Sequence, residues 1–171
     1  MSFGFTRRAA LAGAALGVLS PRAVFGRPRF SSYPFTLGVT SGSPTPTGSV
    51  LCTRLAPEPL HGGGMRDAPV VVRYEVAEDE QFRKIAQKGT FHALPELAHS
   101  VHAEVEGLAP GRPYFFRFFA GDEVSPTGRT RTSPAPEARP DRLKLGYGSC
   151  QHFEQGYYAA HRHLAEEDLD L

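Results

Sequence analysis

The chemistry in this sequence is concentrated in the run Leu145-Gly-Tyr-Gly-Ser-Cys-Gln-His152, where a short apolar stretch breaks into small residues and then presents Cys150. A thiolate is both a nucleophile and a soft, anionic metal donor, so a cysteine in a tight loop after a strand suits either role. Two plainer readings stand beside these: a small buried apolar side chain, or one half of a bridge to Cys52, the other cysteine. The histidines are weaker candidates. His99 and His102 are three apart on an expected strand, so they face opposite sides and could chelate one ion only across a bulge. His161 and His163, two apart on an expected helix, sit roughly 200° apart around its axis and cannot share an ion. His61 and His92 stand alone. The glycines of His-Gly-Gly-Gly-Met at 61–65 suggest a phosphate loop, but no helix start or Lys-Ser/Thr pair follows, and the run reads as a hairpin or loop.

The elements that must position Cys150 follow from periodicity. Seven short runs rich in Val, Phe, Tyr and Thr, separated by Gly, Pro, Asp or Ser, fill residues 33–133. They begin at Pro34, Ser49, Pro69, Lys88, His99, Pro113 and Ser125, and their number and spacing predict an immunoglobulin-like sandwich. Val101, Ala103 and Val105 alternate with His102, Glu104 and Glu106, which predicts a strand with one apolar face and one wet face. Leu108, Pro110 and Tyr114 are spaced as at a strand junction of fibronectin type III domains, where Tyr114 would bond back to the backbone as a tyrosine corner. Residues 134–142, rich in proline and charge, read as a linker. Beyond it a strand from Leu143 to Gly148 and a helix carrying Tyr157, Ala160, His161, Leu164 and Leu171 on one face predict a β-to-α step.

The N-terminus has a different character. Arg7 and Arg8 precede an uncharged run from Ala9 to Leu19, too short to cross a bilayer as a helix, and Val24 and Gly26 supply small residues for cleavage. Residues 1–26 therefore read as an export signal resembling the twin-arginine type, although Ala9-Ala10 stand where a large apolar residue is usual. A short amphipathic helix retained on the protein is the alternative. Export places the mature chain in the periplasm or outside the cell, with the twin-arginine machinery as a partner and no stable membrane anchor. Nineteen basic residues against eighteen acidic ones leave a formal charge of +1, which gives no electrostatic case for a nucleic-acid partner.

Taken in order, "FTLGVTSGSP", "VLCTRL", "VVVRYEVAEDEQF", "VEGLAPGRPYFFRFFAG", "SPTGRTRT" and "LKLGYGSCQHFEQGYYAAHRHLAEEDLDL" resemble the alkaline phosphatase D (PhoD-like) metallophosphoesterases over nearly the whole chain. Cys52 departs from the family, which commonly has tryptophan there. The resemblance implies a mainly β fold, a fibronectin III/immunoglobulin-like sandwich followed by the first βα unit of a truncated α/β metallophosphoesterase domain. It implies hydrolysis of phosphate mono- or diesters with Fe3+ and Ca2+, and it assigns Cys150 as an iron ligand, a thiolate suiting iron as carboxylates suit calcium. The family's Gly-Asp loop and further acidic, tyrosine, asparagine and histidine residues have no counterpart before Leu171. The 171 residues are thus expected to hold no catalytic residue and to bind neither metal tightly on their own. Two other readings are a secreted sandwich acting as a binding or adhesion module, and a purple-acid-type phosphatase, which carries aspartate where Cys150 stands.

Overall fold

The computed structural model describes residues 27–152 and 154–170; the export segment expected over 1–26 lies outside them. Eight strands and one α-helix follow in order. They are β1 Val39–Gly42, β2 Ser49–Arg54, β3 Val70–Ala77, β4 Ile85–Ala93, β5 Ser100–Val105, β6 Pro113–Ala120, β7 Glu123–Val124, β8 Gly128–Arg131 and α1 Ala159–Glu166, with a 3-10 turn at Pro95–Leu97. All pairings are antiparallel. One sheet has the order β1-β2-β5; the other runs β4-β3-β6, with β7 and β8 both paired to β6. Seven strands match the seven expected runs. The eighth, β7, has two residues, too few to show a period.

Burial follows the side-chain alternation of pleated strands. In β6, Tyr114, Phe116, Phe118 and Ala120 are buried while Phe115, Arg117 and Phe119 between them are half-exposed. In β5, Val101, Ala103 and Val105 point inward and His102 and Glu104 outward, as expected. These side chains meet Leu51, Val72, Val76, Phe35 and Leu55 in one core, where the Phe116 and Phe118 rings pack edge to face at 6.0 Å. Each fully buried side chain of this size contributes about 1.5–3 kcal/mol relative to exposure. The open sides between the sheets are closed by polar contacts. Ser49 Oγ lies 3.1 Å from Thr130 Oγ1, joining β2 to β8. On the other side the Gln87 amide donates to the Glu106 carbonyl at 3.1 Å.

On the outer face of the larger sheet, Arg117 lies 4.0 Å from the Phe82 ring centroid and 5.0 Å from that of Phe119, and Arg73 also stands 5.0 Å from the Phe119 centroid. Guanidinium planes thus cover aromatic carbon that would otherwise face water. Arg117 is itself held to Glu75 at 2.8 Å. The β3–β4 ladder carries a register shift at Val76/Ala77, a bulge near the start of the β4 edge.

Tyr114 makes the bond expected of it: its hydroxyl accepts the Ala109 N–H at 2.8 Å while its ring is buried. Beside it, Thr132 Oγ1 donates to the Ala109 carbonyl at 2.8 Å, so both polar groups of one turn residue are met. Tyr114→Phe is expected to cost about 1–3 kcal/mol, because the Ala109 N–H loses its acceptor while the ring stays packed. Denaturant unfolding with an unchanged slope and a lowered midpoint is the expected result, and an unchanged midpoint would show that water replaces the hydroxyl without loss.

Candidate metal-ligand loop

After β8 the chain leaves the sheets. Ser133 N–H donates to the Thr45 carbonyl at 3.0 Å, and residues 134–142 then run without strand or helix. The strand expected over Leu143–Gly148 is not assigned as one. This segment alternates in exposure, with Lys144 and Gly146 half-buried and Leu143, Leu145 and Tyr147 66%, 58% and 90% exposed, so its apolar side faces away from the structure around it. Its described backbone partner is Asp170 rather than a neighbouring strand: Asp170 N–H donates to the Lys144 carbonyl, and Lys144 N–H donates to Asp170 Oδ2, each at 2.9 Å. A side-chain carboxylate thereby stands where a ladder carbonyl would.

The segment passes close over α1. A Cβ added at Gly146 would lie 2.5 Å from Leu169 Cδ1 and 2.9 Å from Leu164 Cδ2, so a side chain there would displace the ends of these two leucines. Gly148 sits above His161 and Leu164. Helix α1 is shorter than the expected apolar face, since it starts at Ala159. Tyr158 precedes it in the left-handed region at φ 53°, and Tyr157 is outside it and 94% exposed.

Cys150 therefore rests in a loop between this extended segment and α1, exposed, reduced, and with its backbone in the left-handed region at φ 57°. A non-glycine residue there carries steric cost that a site can retain. Cys52 is elsewhere, on β2, also reduced and half-buried, in register with Thr40 and His102; no bridge joins the two cysteines. Burial pushes the Cys52 thiol above its ordinary pKa.

The histidines are distributed as the spacing predicts. His99 is buried, and its Nε2 lies 3.0 Å from the Ala68 carbonyl. A carbonyl only accepts, so that nitrogen carries the proton and is not a lone-pair donor. His102, His61 and His92 are exposed on different elements. His161 and His163 are both exposed on α1, where His161 packs its ring 6.0 Å from Tyr158 and His163 lies 3.7 Å from Glu166. The His61–Met65 run forms a turn with Gly62, Gly63 and Gly64 at positive φ, closed by a bridge between Glu58 and Gly63. Among the described residues no group of three or more His, Cys, Asp or Glu is placed to hold a metal ion.

The acidic end of the chain was not marked by spacing arguments, yet it makes most of the polar contacts near the loop. Glu167 accepts from Lys144 Nζ at 2.6 Å, and this bonded ammonium holds its carboxyl below the usual carboxylate range. Asp168 lies 3.7 Å from Arg142, and Asp170 Oδ1 accepts from Arg131 Nη1 at 2.8 Å. Three acids at 167–170 opposite three cations at 131–144 was the available signal, but separation in sequence hid it.

The two-sheet β domain that leads into the cysteine loop is identified by a family model. Residues 19–134 match the model described as PhoD-like phosphatase, N-terminal domain, and the chain belongs to that family. Alkaline phosphatase D of Bacillus subtilis (strain 168) is 56% identical over 144 residues, which are 84% of this chain and 25% of that protein. A solved structure of PhoD superposes with a TM-score of 0.82 at 56% identity, over 84% of this chain and 27% of that one. The chain thus spans about a quarter of the length of the relatives it matches. Among the described residues no helix is long and apolar enough to cross a membrane.

The two thiols should separate by alkylation of the folded chain. Cys150 is expected to react first, while Cys52 lags until unfolding, with its rate rising at higher pH than that of an ordinary thiol near about 8.5, since burial disfavours its thiolate. Equal rates for both at neutral pH, read by peptide mass, would contradict the placement.

Proposed function

We propose that this chain is the N-terminal part of an exported alkaline phosphatase D-type enzyme that hydrolyses phosphate mono- or diesters at a metal centre. The observation that carries the reading is 56% identity over 84% of the chain to an alkaline phosphatase D. The strand orders β1-β2-β5 and β4-β3-β6-β8, with the Tyr114 bond to the preceding turn, support a fibronectin III/immunoglobulin-like sandwich over 33–133. The extended run 143–148 packed over α1 supports a first βα unit of the catalytic domain, after a linker at 134–142.

In this reading Cys150 is one ligand of Fe3+, and the other iron ligands and those of Ca2+ come from the longer enzyme. The cations supply charge that neutralises phosphate oxygens and activates an oxygen nucleophile. What the chain's own residues contribute is placement: the loop after the extended run offers an exposed cysteine side chain on a backbone at φ 57°. By itself the 171-residue chain binds neither metal tightly and leaves a phosphodiester intact, because a lone thiolate does not hold iron.

In the longer enzyme, Cys150→Ser is expected to lower bound iron by about tenfold or more, with loss of turnover of a chromogenic phosphodiester. Iron content unchanged by the substitution would remove Cys150 from the centre. Turnover by the isolated chain, lost on Cys150→Ala, would overturn its inactivity.

Residues 1–26 act as a twin-arginine signal, so the mature protein works in the periplasm or outside the cell. Replacing Arg7 and Arg8 together by lysine is expected to leave precursor in the cytoplasm. Unimpaired appearance of mature protein outside would exclude that route.

A further inference from the structure

We infer that Asp170 is a latch that fixes the Cys150-bearing segment to the β domain through Arg131, a role that stands on geometry and is independent of what Cys150 binds. Both carboxylate oxygens are engaged with groups far apart in sequence: Oδ1 with the Arg131 guanidinium on β8, Oδ2 with the backbone N–H of Lys144. The Asp170 N–H completes the contact by donating to the Lys144 carbonyl. One residue therefore binds the outer end of the sandwich and both backbone groups of the extended run that leads to Cys150. The Asp170 side chain is only 24% exposed, and the carboxylate accepts a charge-assisted bond from each side.

The neighbourhood reinforces this position. Leu169 and Asp170 form one wall of a cleft of about 230 Å3 whose other walls are Ser41 and Gly42 of β1 and Thr130 and Arg131 of β8. Leu169 lies against Gly146, so this apolar contact joins the 167–170 end to the same extended run whose Lys144 N–H bonds Asp170. Lys144–Glu167 and Arg142–Asp168 add opposite charges along the same line. The groups bonded to the Asp170 carboxylate are one guanidinium, that of Arg131, and one backbone N–H, that of Lys144. Exposed ion pairs of this kind weaken as salt screens them, whereas a half-buried carboxylate with a backbone N–H is screened less.

The test uses the full 171-residue chain with Cys52→Ala and Lys88→Cys, spin-labelled at Cys150 and at position 88 on the exposed edge strand, and reads the distribution of the distance between the labels. A narrow distribution is expected. Asp170→Ala should broaden it on the order of twofold, as for a segment released from its local contacts. Arg131→Ala should do the same, and the double variant should add little, because the two residues form one interaction. Arg131→Lys, which keeps the charge, should retain most of the narrowness at low salt and lose it as salt rises. Amide protection in β2 and β6 shows in each case that the sandwich is intact. A distribution already broad in the parent, or one left narrow by Asp170→Ala, overturns the latch. Iron binding by the longer enzyme decides the role of Cys150 separately, since the label distance is read without metal.

Discussion

The inward side chains of β6, Tyr114, Phe116, Phe118 and Ala120, can be kept from water only if two sheets close over them, and the other elements are arranged around that requirement. Because β6 is paired on one side with β3 and on the other with β7 and β8, its apolar row lies in the middle of the larger sheet. The smaller sheet supplies the lid through Leu51, Val101, Ala103 and Val105. The turn before β6 is then set by the Tyr114 hydroxyl, which satisfies a backbone donor that the turn would otherwise leave without an acceptor. From this packed block the chain leaves by Ser133, still bonded to Thr45, so the direction in which the Cys150 segment departs is inherited from the core.

Legibility in the sequence followed the same gradient. Where one face of a strand is buried, a period of two is forced on the residues, and β5 could be read directly from it, while the other runs were marked by their β-rich composition and the turn residues between them. Tyr114 was legible because a corner places a bonded phenol at a fixed spacing from Leu108 and Pro110. Strand β7 was not, since two residues carry no period. Leu143, Leu145 and Tyr147 alternate as a strand should, yet their apolar side is exposed and no ladder forms beside it, so the pattern gave the extended backbone without the pairing. Tyr157 fitted a helical face, but Tyr158 adopts a left-handed backbone and the helix begins after it.

The candidate site was legible by residue type and not by constellation. Cys150 stood out through its loop of small residues, and the histidine spacings correctly separated side chains that the fold indeed keeps apart. A metal centre, however, is a convergence of several loops, and among the described residues no group of three or more His, Cys, Asp or Glu converges. The acids at 167–170 escaped notice because charge runs read as solvated faces, and their partners at 131–144 become neighbours only when the chain turns back on itself. Family membership, resting on a match over residues 19–134, assigns the β domain its relatives more firmly than any single side chain assigns a reaction.

The bulge at Val76/Ala77 bears on how molecules of this protein meet one another. Strand β4 has nine residues, among the longest here, and among the described strands its one neighbour is β3, so one side of its backbone is a template on which a foreign strand could grow. Near the start of β4 the irregular register twists that template, and Lys84 and Lys88 put positive charge along it. A second copy approaching edge to edge brings the same lysines and the same distorted spacing. The irregular ladder and the lysines thus work against edge-to-edge pairing of β4 between copies of the chain.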